Sequence, residues 1–294
     1  VIGNAEDHYF EKAKEEGFQV VSLGQAAAQA DILVMLLPDE IIPIVYDKDF
    51  SNKVSPGTAV VFASGYSLAY DLIEPSPDID VLLLAPRMAG ENARQRFLQQ
   101  QGFYAYISVE QDASGKAWKR LLGLAHAVGV LFAGAFELNA KLEADLDLLV
   151  EQTIGAALGV SIMNVFAQGV DAGIPAEAMV MEMYMSEEME MVWRSFREVG
   201  FFNASRAHGP TALFGGFQRT MELMGSDLSD LYSETLKKIT SGDFARDFQA
   251  ERDAGYPILS RAEQMSMEDS PIALAERKLR QKLIIELSHG YIIF

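Results

Sequence analysis

Five short apolar runs, separated by helical stretches, constrain the fold of the first half of this chain most strongly. The runs are Gly17–Val21, Ile32–Leu37, Ala59–Ala63, Val81–Ala85 and Tyr104–Val109. Strands that are apolar throughout, and not only at alternate positions, are typical of a parallel sheet that helices cover on both faces. The sequence therefore predicts an α/β domain over residues 1–132, with the Rossmann-type sheet of dinucleotide-binding proteins.

From about residue 133 onward the strand-like runs give way to helical patterns. One helix is expected through the acidic segment that follows residue 140, and the others are expected near 152–172, 176–198, 213–224 and 228–239. Glycine and proline residues separate these segments, as they do at helix ends. We therefore predict an all-helical second domain over residues 133–294, with the functional cleft between the two domains.

The start of the chain departs from a complete domain of this kind. Such a sheet normally opens with a strand, a glycine-rich turn and a helix whose N-terminus holds the pyrophosphate. No G-x-G-x-x-G pattern precedes Lys12, and Val1 stands where a second strand would be ending. We expect the first βα unit to be missing here and the chain to be a fragment of a longer protein.

Composition limits the partners and the compartment. The 294 residues carry a formal net charge of −18, which argues against nucleic acid and anionic membrane surfaces as partners. The longest weakly polar run, Leu121–Phe136, is too short to span a bilayer. The absence of cysteine excludes thiolate chemistry and is compatible with a reducing cytosol, so a cytoplasmic location is expected. Small molecules and other protein chains remain as partners.

Three carboxylates recur every four residues, at Glu143, Asp147 and Glu151, in a segment that is otherwise mostly apolar. At about 100° per residue, Asp147 and Glu151 lie about 40° apart on a helix. A helix that is apolar nearly all round is buried, and buried carboxylates require a counter-charge, for which a hard divalent cation is suited. The alternative is an acidic face exposed to solvent.

Several motifs resemble ketol-acid reductoisomerase, also called acetohydroxy-acid isomeroreductase. They are Leu36–Glu40 (LLPDE), Ala85–Arg87 (APR), Gln111–Gly115 (QDASG), the acidic helix, Gly242–Arg246 (GDFAR) and Glu251–Tyr256 (ERDAGY). The resemblance implies a helical domain that is knotted, NAD(P)H and two Mg²⁺ ions as cofactors, and a hydroxy-keto acid as substrate. It also implies a role in branched-chain amino-acid biosynthesis and a homo-oligomer, a dimer or higher, in which another subunit covers residues 158–166.

Site residues carry over from this resemblance position by position. It places metal-binding carboxylates on Asp147 and Glu151 and a further pair on Glu182 and Glu188. The last two are six residues apart and so about 120° apart on a regular helix, which requires a distorted helix if both serve one site. Exposed positions on an amphipathic helix are the alternative for this pair.

Three positions depart from the family's pattern. Ser64 stands where the family has a histidine, Arg87 replaces a lysine, and Gly209 replaces a serine that contacts the substrate. Serine does not titrate near neutrality and arginine does not release a proton, so the acid/base role of these catalytic positions is lost or reassigned. His208 could supply part of the lost imidazole function, and with Gly209 and Thr211 it is expected to bind substrate.

The cofactor residues also differ from the pattern. In the family, cationic and hydroxyl side chains bind the 2′-phosphate of NADPH, whereas Asn4, Glu6 and Asp7 stand here. Carboxylates repel that phosphate and suit the free ribose hydroxyls of NADH, so NADH is favoured. The alternative for Asp7 is a helix cap. The resemblance adds Leu37, Pro38 and Asp39 to the cofactor site.

Three hypotheses follow for the function. The first is a ketol-acid reductoisomerase that performs alkyl migration and reduction of an acetohydroxy acid. The second is a reductase of a different hydroxy or keto acid without isomerisation. The third is a catalytically degenerate paralogue, which Ser64 and Gly209 motivate.

Overall fold

The structure is a computed structural model that describes residues 1–204, 209–224, 226–265 and 270–282. Its chain forms two compact units, unit 1 from Val1 to Asp147 and unit 2 over the described residues from Leu148 to Lys282. The division falls within one continuous helical run, Ala140–Asp171. The boundary that the sequence predicts at residue 132 therefore lies inside unit 1.

Unit 1 contains the strands and the shorter helices. The strands are β1 (Ile2–Gly3), β2 (Val20–Val21), β3 (Ile32–Met35), β4 (Ala59–Phe62), β5 (Asp80–Pro86), β6 (Tyr104–Gln111) and β7 (Gly134–Glu137). The helices are α1 (His8–Glu15), α2 (Leu23–Gln29), α3 (Ile42–Val45), α4 (Tyr66–Ala69), α5 (Gly90–Leu98), α6 (Ala117–Ala127), α7 (Val130–Ala133) and most of α8 (Ala140–Val150), with a π-helical segment at Tyr46–Phe50. Each of the five predicted runs overlaps a strand.

The strands form two sheets. β1 pairs with β2 in parallel, and the larger sheet has the order β3-β4-β5-β6-β7. β3, β4 and β5 run parallel to one another as predicted, whereas β6 is antiparallel to β5 and parallel to β7. β6 and the edge strand β7 thus both run antiparallel to β3, β4 and β5. Mixed sheets are common among large sheets, so the all-parallel prediction was too simple.

The prediction that strands end near residue 133 is wrong, because β7 occupies Gly134–Glu137. β7 is an edge strand whose residues are mostly exposed, and it pairs with β6 alone among the described strands. A strand in that position buries no continuous apolar run and so has no strong signal in the sequence.

Both faces of the larger sheet are covered. Val60 and Phe62 pack into one apolar cluster, and Val61 of the same strand packs into the cluster on the opposite face with Leu121 of α6. Successive side chains of a strand point to opposite faces, so a sheet covered on both sides makes every position apolar. This burial explains why β4 and β5 appear in the sequence as unbroken hydrophobic runs.

A cleft of about 1050 Å³ separates β1 from β3. On this side β3 has no neighbour among the described strands, and Ile32 and Val34 stay about two-fifths exposed. The glycine-rich turn and its strand are not among the elements of the described residues. β3 therefore presents an unpaired edge to this cleft.

Unit 2 is helical throughout its described residues. Its helices are α9 (Ala156–Asp171), α10 (Ala176–Val180), α11 (Glu188–Val199), α12 (Phe201–Ala204), α13 (Pro210–Met224), α14 (Leu228–Thr240), α15 (Asp243–Asp253), α16 (Pro257–Met265) and α17 (Pro271–Lys282), with π-helical segments at Glu151–Gly155 and Met181–Met185. Phe166, Val180 and Leu279 are buried in one core where α10 packs on α17. For the described residues from Leu148 the helical prediction is confirmed, whereas β7 contradicts it at 134–137, and the knot stays a prediction.

Candidate active site

Three predicted site residues lie where neighbouring strands of the sheet end. Asp39 follows β3, Ser64 follows β4 and Arg87 follows β5. Because these strands are parallel, their carboxyl ends share one edge, which is where open α/β sheets bind ligands. The Ser64 hydroxyl donates to Oδ2 of Asp39 at 3.3 Å and accepts the N–H of Tyr66 at 3.2 Å. This hydrogen bond to Asp39 connects the turn after β4 with the loop after β3.

The backbone at Gly65 makes the closest approach to the acidic helix α8. Its N–H donates to Oε2 of Glu143 at 2.7 Å, and a Cβ added to Gly65 would lie 2.3 Å from the carbonyl oxygen of Ala140. Only glycine leaves room for this contact. The turn after β4 therefore holds the carboxylate of Glu143, which is 1% exposed.

Arg87 connects two carboxylates of α8. Its Nη2 lies 2.7 Å from Oε1 of Glu143, and its Nη1 lies 2.9 Å from Oδ1 of Asp147. The guanidinium carbon lies 4.8 Å from the ring centroid of Tyr106. The backbone N–H of Arg87 donates to the backbone carbonyl of Tyr104 at 2.9 Å. The planar fork of arginine suits two carboxylates at once, which a lysine ammonium does not match.

The surroundings of Glu143 act on the pKa of its carboxyl in opposite directions. Burial raises the pKa of its carboxyl above the ordinary value, although the Gly65 N–H and the Arg87 guanidinium both favour the ionised form. Both carboxylate oxygens have a donor, Oε1 from Arg87 and Oε2 from Gly65. The protein itself therefore satisfies this buried group.

The prediction that Asp147 and Glu151 are buried is wrong. The side chain of Asp147 is 51% exposed, Glu151 is exposed, and the neighbouring Leu142 and Leu146 are exposed as well. The buried carboxylate of α8 is Glu143, and Arg87 supplies its counter-charge. Sequence reasoning did not include Glu143 in the site, although its position four residues before Asp147 was the signal.

The carboxylates nevertheless fit a divalent cation in chemistry. Asp147 and Glu151 offer hard oxygen ligands, and Mg²⁺ is usually held by one or two carboxylates together with water and substrate. Among the described residues no group of three or more histidine, aspartate or glutamate side chains could hold a metal. The fit therefore depends on this pair and not on a preformed cage.

Glu182 and Glu188 lie in unit 2 and are both exposed. Glu182 is in the π-helical segment Met181–Met185, and α11 begins at Glu188 after Glu187, whose φ is 66°. The helix predicted over residues 176–198 is thus interrupted between the two glutamates. Such a distortion is what a shared role of the pair requires, and the role itself stays a prediction.

Asp7 caps α1, as the alternative interpretation proposed. Its Oδ1 accepts the N–H groups of Tyr9 and Phe10 at 2.9 and 3.1 Å, and it also accepts the side-chain amide of Asn4 at 2.9 Å. Glu6 is exposed beside it. Capping uses one oxygen of Asp7, which lies in the short segment between β1 and α1.

The loop after β3 contains the other predicted cofactor residues. Leu37 packs against the apolar cluster of the sheet, and the carbonyl of Pro38 accepts the N–H of Ile41 at 2.9 Å in the turn that leads to α3. Asp39 is the acceptor for Ser64. This loop and the turn after β4 are therefore connected by side chains at the same edge.

The predicted substrate residues belong to unit 2. His208 lies outside the described residues. Gly209 and Thr211 are exposed at the start of α13, where the carbonyl of Gly209 accepts the N–H of Leu213 at 3.1 Å. Their part in substrate binding stays a prediction.

Comparison with known proteins agrees with this geometry. Residues 1–134 match the family described as acetohydroxy acid isomeroreductase, NADPH-binding domain, and residues 141–284 match ketol-acid reductoisomerase, C-terminal domain. A putative ketol-acid reductoisomerase 3 from Saccharolobus solfataricus is 34% identical over 283 residues, which cover 95% of this chain and 85% of that protein. The ketol-acid reductoisomerase (NADP(+)) of Pyrobaculum arsenaticum is 30% identical over 86% of this chain and 76% of its own length.

A solved structure is similar as well. It is an NADH-preferring ketol-acid reductoisomerase from an uncultured archaeon, with a TM-score of 0.87 and 27% sequence identity. The similarity covers 96% of this chain and 85% of that one.

Proposed function

Because this chain belongs to the ketol-acid reductoisomerase family and is an NAD(P)H-dependent oxidoreductase of that type, we propose that it isomerises and reduces an acetohydroxy acid with Mg²⁺. The observation that carries the proposal is the contact of Arg87, at the end of β5, with Glu143 and Asp147 of α8. That contact joins the ligand-binding edge of the cofactor sheet to the acidic helix. The product would enter branched-chain amino-acid biosynthesis.

In this proposal Asp147 and Glu151 hold Mg²⁺, and Glu182 and Glu188 are further candidate ligands. Bound Mg²⁺ would polarise the hydroxyl and carbonyl oxygens of the substrate, and NAD(P)H would supply the hydride. Arg87 fixes the carboxylate of Glu143 and contacts Asp147 from the sheet side. Ser64 keeps the turn after β4 next to the loop of Asp39.

We propose NADH as the preferred cofactor. The carboxylates of Glu6 and Asp7 lie at the end of β1, where a 2′-phosphate would be repelled. The structural relative prefers NADH, whereas the relative from Pyrobaculum arsenaticum is named for NADP(+). Asp7 caps α1 through Oδ1 alone, so one residue can serve both purposes.

We further propose a cytoplasmic homo-oligomer. The helical run Ala140–Asp171 is long and apolar enough to cross a membrane by length and composition, and only 11% of its most apolar stretch is buried. Phe166 of this run is buried in the core of unit 2, so the run packs against other helices on one face. A second copy of the chain is therefore the proposed cover for Leu158, Val160 and Met163, which are exposed.

The direct test is oxidation of NADH and of NADPH with 2-acetolactate, with and without Mg²⁺. We expect Mg²⁺-dependent oxidation by the wild-type protein and its loss in Asp147→Asn. Asp145→Asn is the matched control, because Asp145 forms an ion pair with Lys141 and a hydrogen bond with Tyr70. Oxidation that is independent of Mg²⁺, or equal loss in both variants, would reject the assignment.

A second function is favoured by the departures at Ser64 and Gly209, which remove a titratable and a hydroxyl side chain from the family's pattern. It is the reduction of another hydroxy or keto acid without isomerisation. Turnover of hydroxypyruvate, with 2-acetolactate untouched, would favour it. Binding of cofactor without turnover of either compound would instead favour a degenerate paralogue.

A further inference from the structure

We infer that Arg87 competes with the divalent cation for Asp147. The guanidinium must release Oδ1 of this carboxylate before both carboxylate oxygens are available to the metal. The inference rests on the proposed Mg²⁺ site. It makes Arg87 a positioning residue that sets the metal affinity through Asp147.

The two ion pairs of Arg87 are unequal. Glu143 is 1% exposed and both of its oxygens accept hydrogen bonds from the protein, Oε1 from Arg87 and Oε2 from Gly65. Asp147 is 51% exposed, and Arg87 is its one hydrogen-bond donor among the described residues. An exposed ion pair contributes little, whereas breaking a buried one is costly. The exchangeable partner is therefore Asp147, and Glu143 is the anchor.

Arginine competes with the cation at every physiological pH. A guanidinium stays protonated at any physiological pH, so it cannot leave the carboxylate by losing its charge, as a lysine in a suitable environment can. The Arg87 side chain is 24% exposed and lies over the ring of Tyr106, which limits its movement. A divalent cation on Asp147 would meet a fixed positive charge within a few ångströms, and that repulsion weakens binding.

The inference predicts tighter metal binding when the guanidinium is removed. The probe is Mn²⁺, with free Mn²⁺ measured by electron paramagnetic resonance in titrations of the whole protein. We expect Arg87→Met to bind Mn²⁺ about tenfold more tightly than the wild type, from the loss of one nearby unit charge. Arg94→Met is the matched control, because Arg94 is exposed on α5 and changes the net charge equally.

A second variant addresses folding. Arg87→Met leaves the carboxylate of Glu143 buried without its counter-charge, so the double variant Arg87→Met/Glu143→Gln removes that charge too while its side-chain oxygen still accepts from Gly65. The double variant also prevents Glu143 from becoming a new ligand. Because Glu143→Gln also removes a negative charge near the cation, the reference for the double variant is Glu143→Gln alone. Relative to that reference we expect tighter Mn²⁺ binding, with a circular dichroism spectrum like that of the wild type.

The outcomes separate the inference from the proposed function. If the wild type binds Mn²⁺ but folded Arg87→Met binds it no more tightly than the wild type, and the double variant no more tightly than Glu143→Gln, Arg87 is not a competitor, while the Mg²⁺ site stands. If neither the wild type nor the variants bind Mn²⁺, the metal site itself fails and the inference fails with it. Tightening in Arg94→Met equal to that in Arg87→Met would reduce the effect to overall charge and overturn the inference.

Discussion

The backbone N–H of Gly65 donates to Oε2 of Glu143 at 2.7 Å, across 78 positions of the sequence. This hydrogen bond joins the turn after β4 to α8 and places a buried carboxylate against the cofactor sheet. Because the donor is main chain, the contact depends on the space at Gly65 and not on the chemistry of a side chain.

Gly65→Ala tests that space. The new Cβ would approach Oε2 of Glu143 to 2.8 Å and the Ala140 carbonyl still more closely, so α8 must shift. We expect a loss of about 1–3 kcal/mol in the free energy of unfolding, measured by urea denaturation, together with reduced turnover. Gly123→Ala in α6 is the control, because nothing lies within 4 Å of a Cβ there. Equal stability of the two variants would contradict the close approach.

Asp80 predicts how the stability of unit 1 changes in acid. Burial alone would raise the pKa of this carboxyl, but hydrogen bonds from Ser114 and the charge of Arg120 together lower it below the ordinary value. A lowered pKa means that the unfolded chain binds the proton more readily, so the contribution is present above a pH of about 3.9 and is lost as the pH falls through the folded-state value.

Asp80→Asn should therefore lower the free energy of unfolding at pH 7 by about 2 kcal/mol, since Arg120 loses its partner. It should also flatten the acid limb of the stability curve, which urea denaturation between pH 3 and pH 7 would measure. An unchanged acid limb in the variant would show that other carboxylates set the acid sensitivity.

Asp7 predicts the basis of cofactor preference. Asp7→Ser removes the charge and keeps a good cap for α1, whereas Asp7→Ala removes both. We expect each variant to raise kcat/KM for NADPH relative to NADH about tenfold, because a repulsion is lost. Only Asp7→Ala should lose about 1 kcal/mol of stability. An unchanged cofactor ratio in both variants would leave Asp7 as a cap alone.

The exposed apolar face of α9 predicts self-association. Val160 and Met163 are 52% and 56% exposed. The pair Val160→Asp/Met163→Asp should reduce the oligomer to a monomer, measured by light scattering during size-exclusion chromatography, because charges would be buried without partners. Gln101→Asp, at an exposed position of unit 1, should leave the assembly unchanged. A wild-type protein that is already monomeric would reject the proposed interface.

The sequence predicted the fold well where a single element determines the pattern. The strands of the sheet were visible because both faces of β4 and β5 are buried. The direction of β6 was not, because apolar side chains carry no information about which neighbour a strand pairs with. β7 was missed since its residues are mostly exposed.

The candidate site was predictable only in part. The spacing of Glu143, Asp147 and Glu151 indicated a functional helix, but the period of a helix does not tell which position faces the core. The structure buries Glu143, because the turn at Gly65 and the guanidinium of Arg87 approach it from the sheet. Such contacts join residues far apart in the sequence, so no local pattern reveals them.

The start of α8 has a consequence for everything that follows it. Glu110 of β6 accepts the N–H of Ala140 at 2.9 Å, and Asn139 accepts the N–H of Leu142 at the same distance, so the first turn is fixed to the sheet. Only Leu138 and Asn139 separate β7 from α8. One residue more or less in that connection would rotate every later side chain by about 100°. The direction of the Asp147 side chain therefore depends on the length of this connection, which contributes no residue to the candidate site. Natural variation should tolerate new side chains in the connection but not insertions.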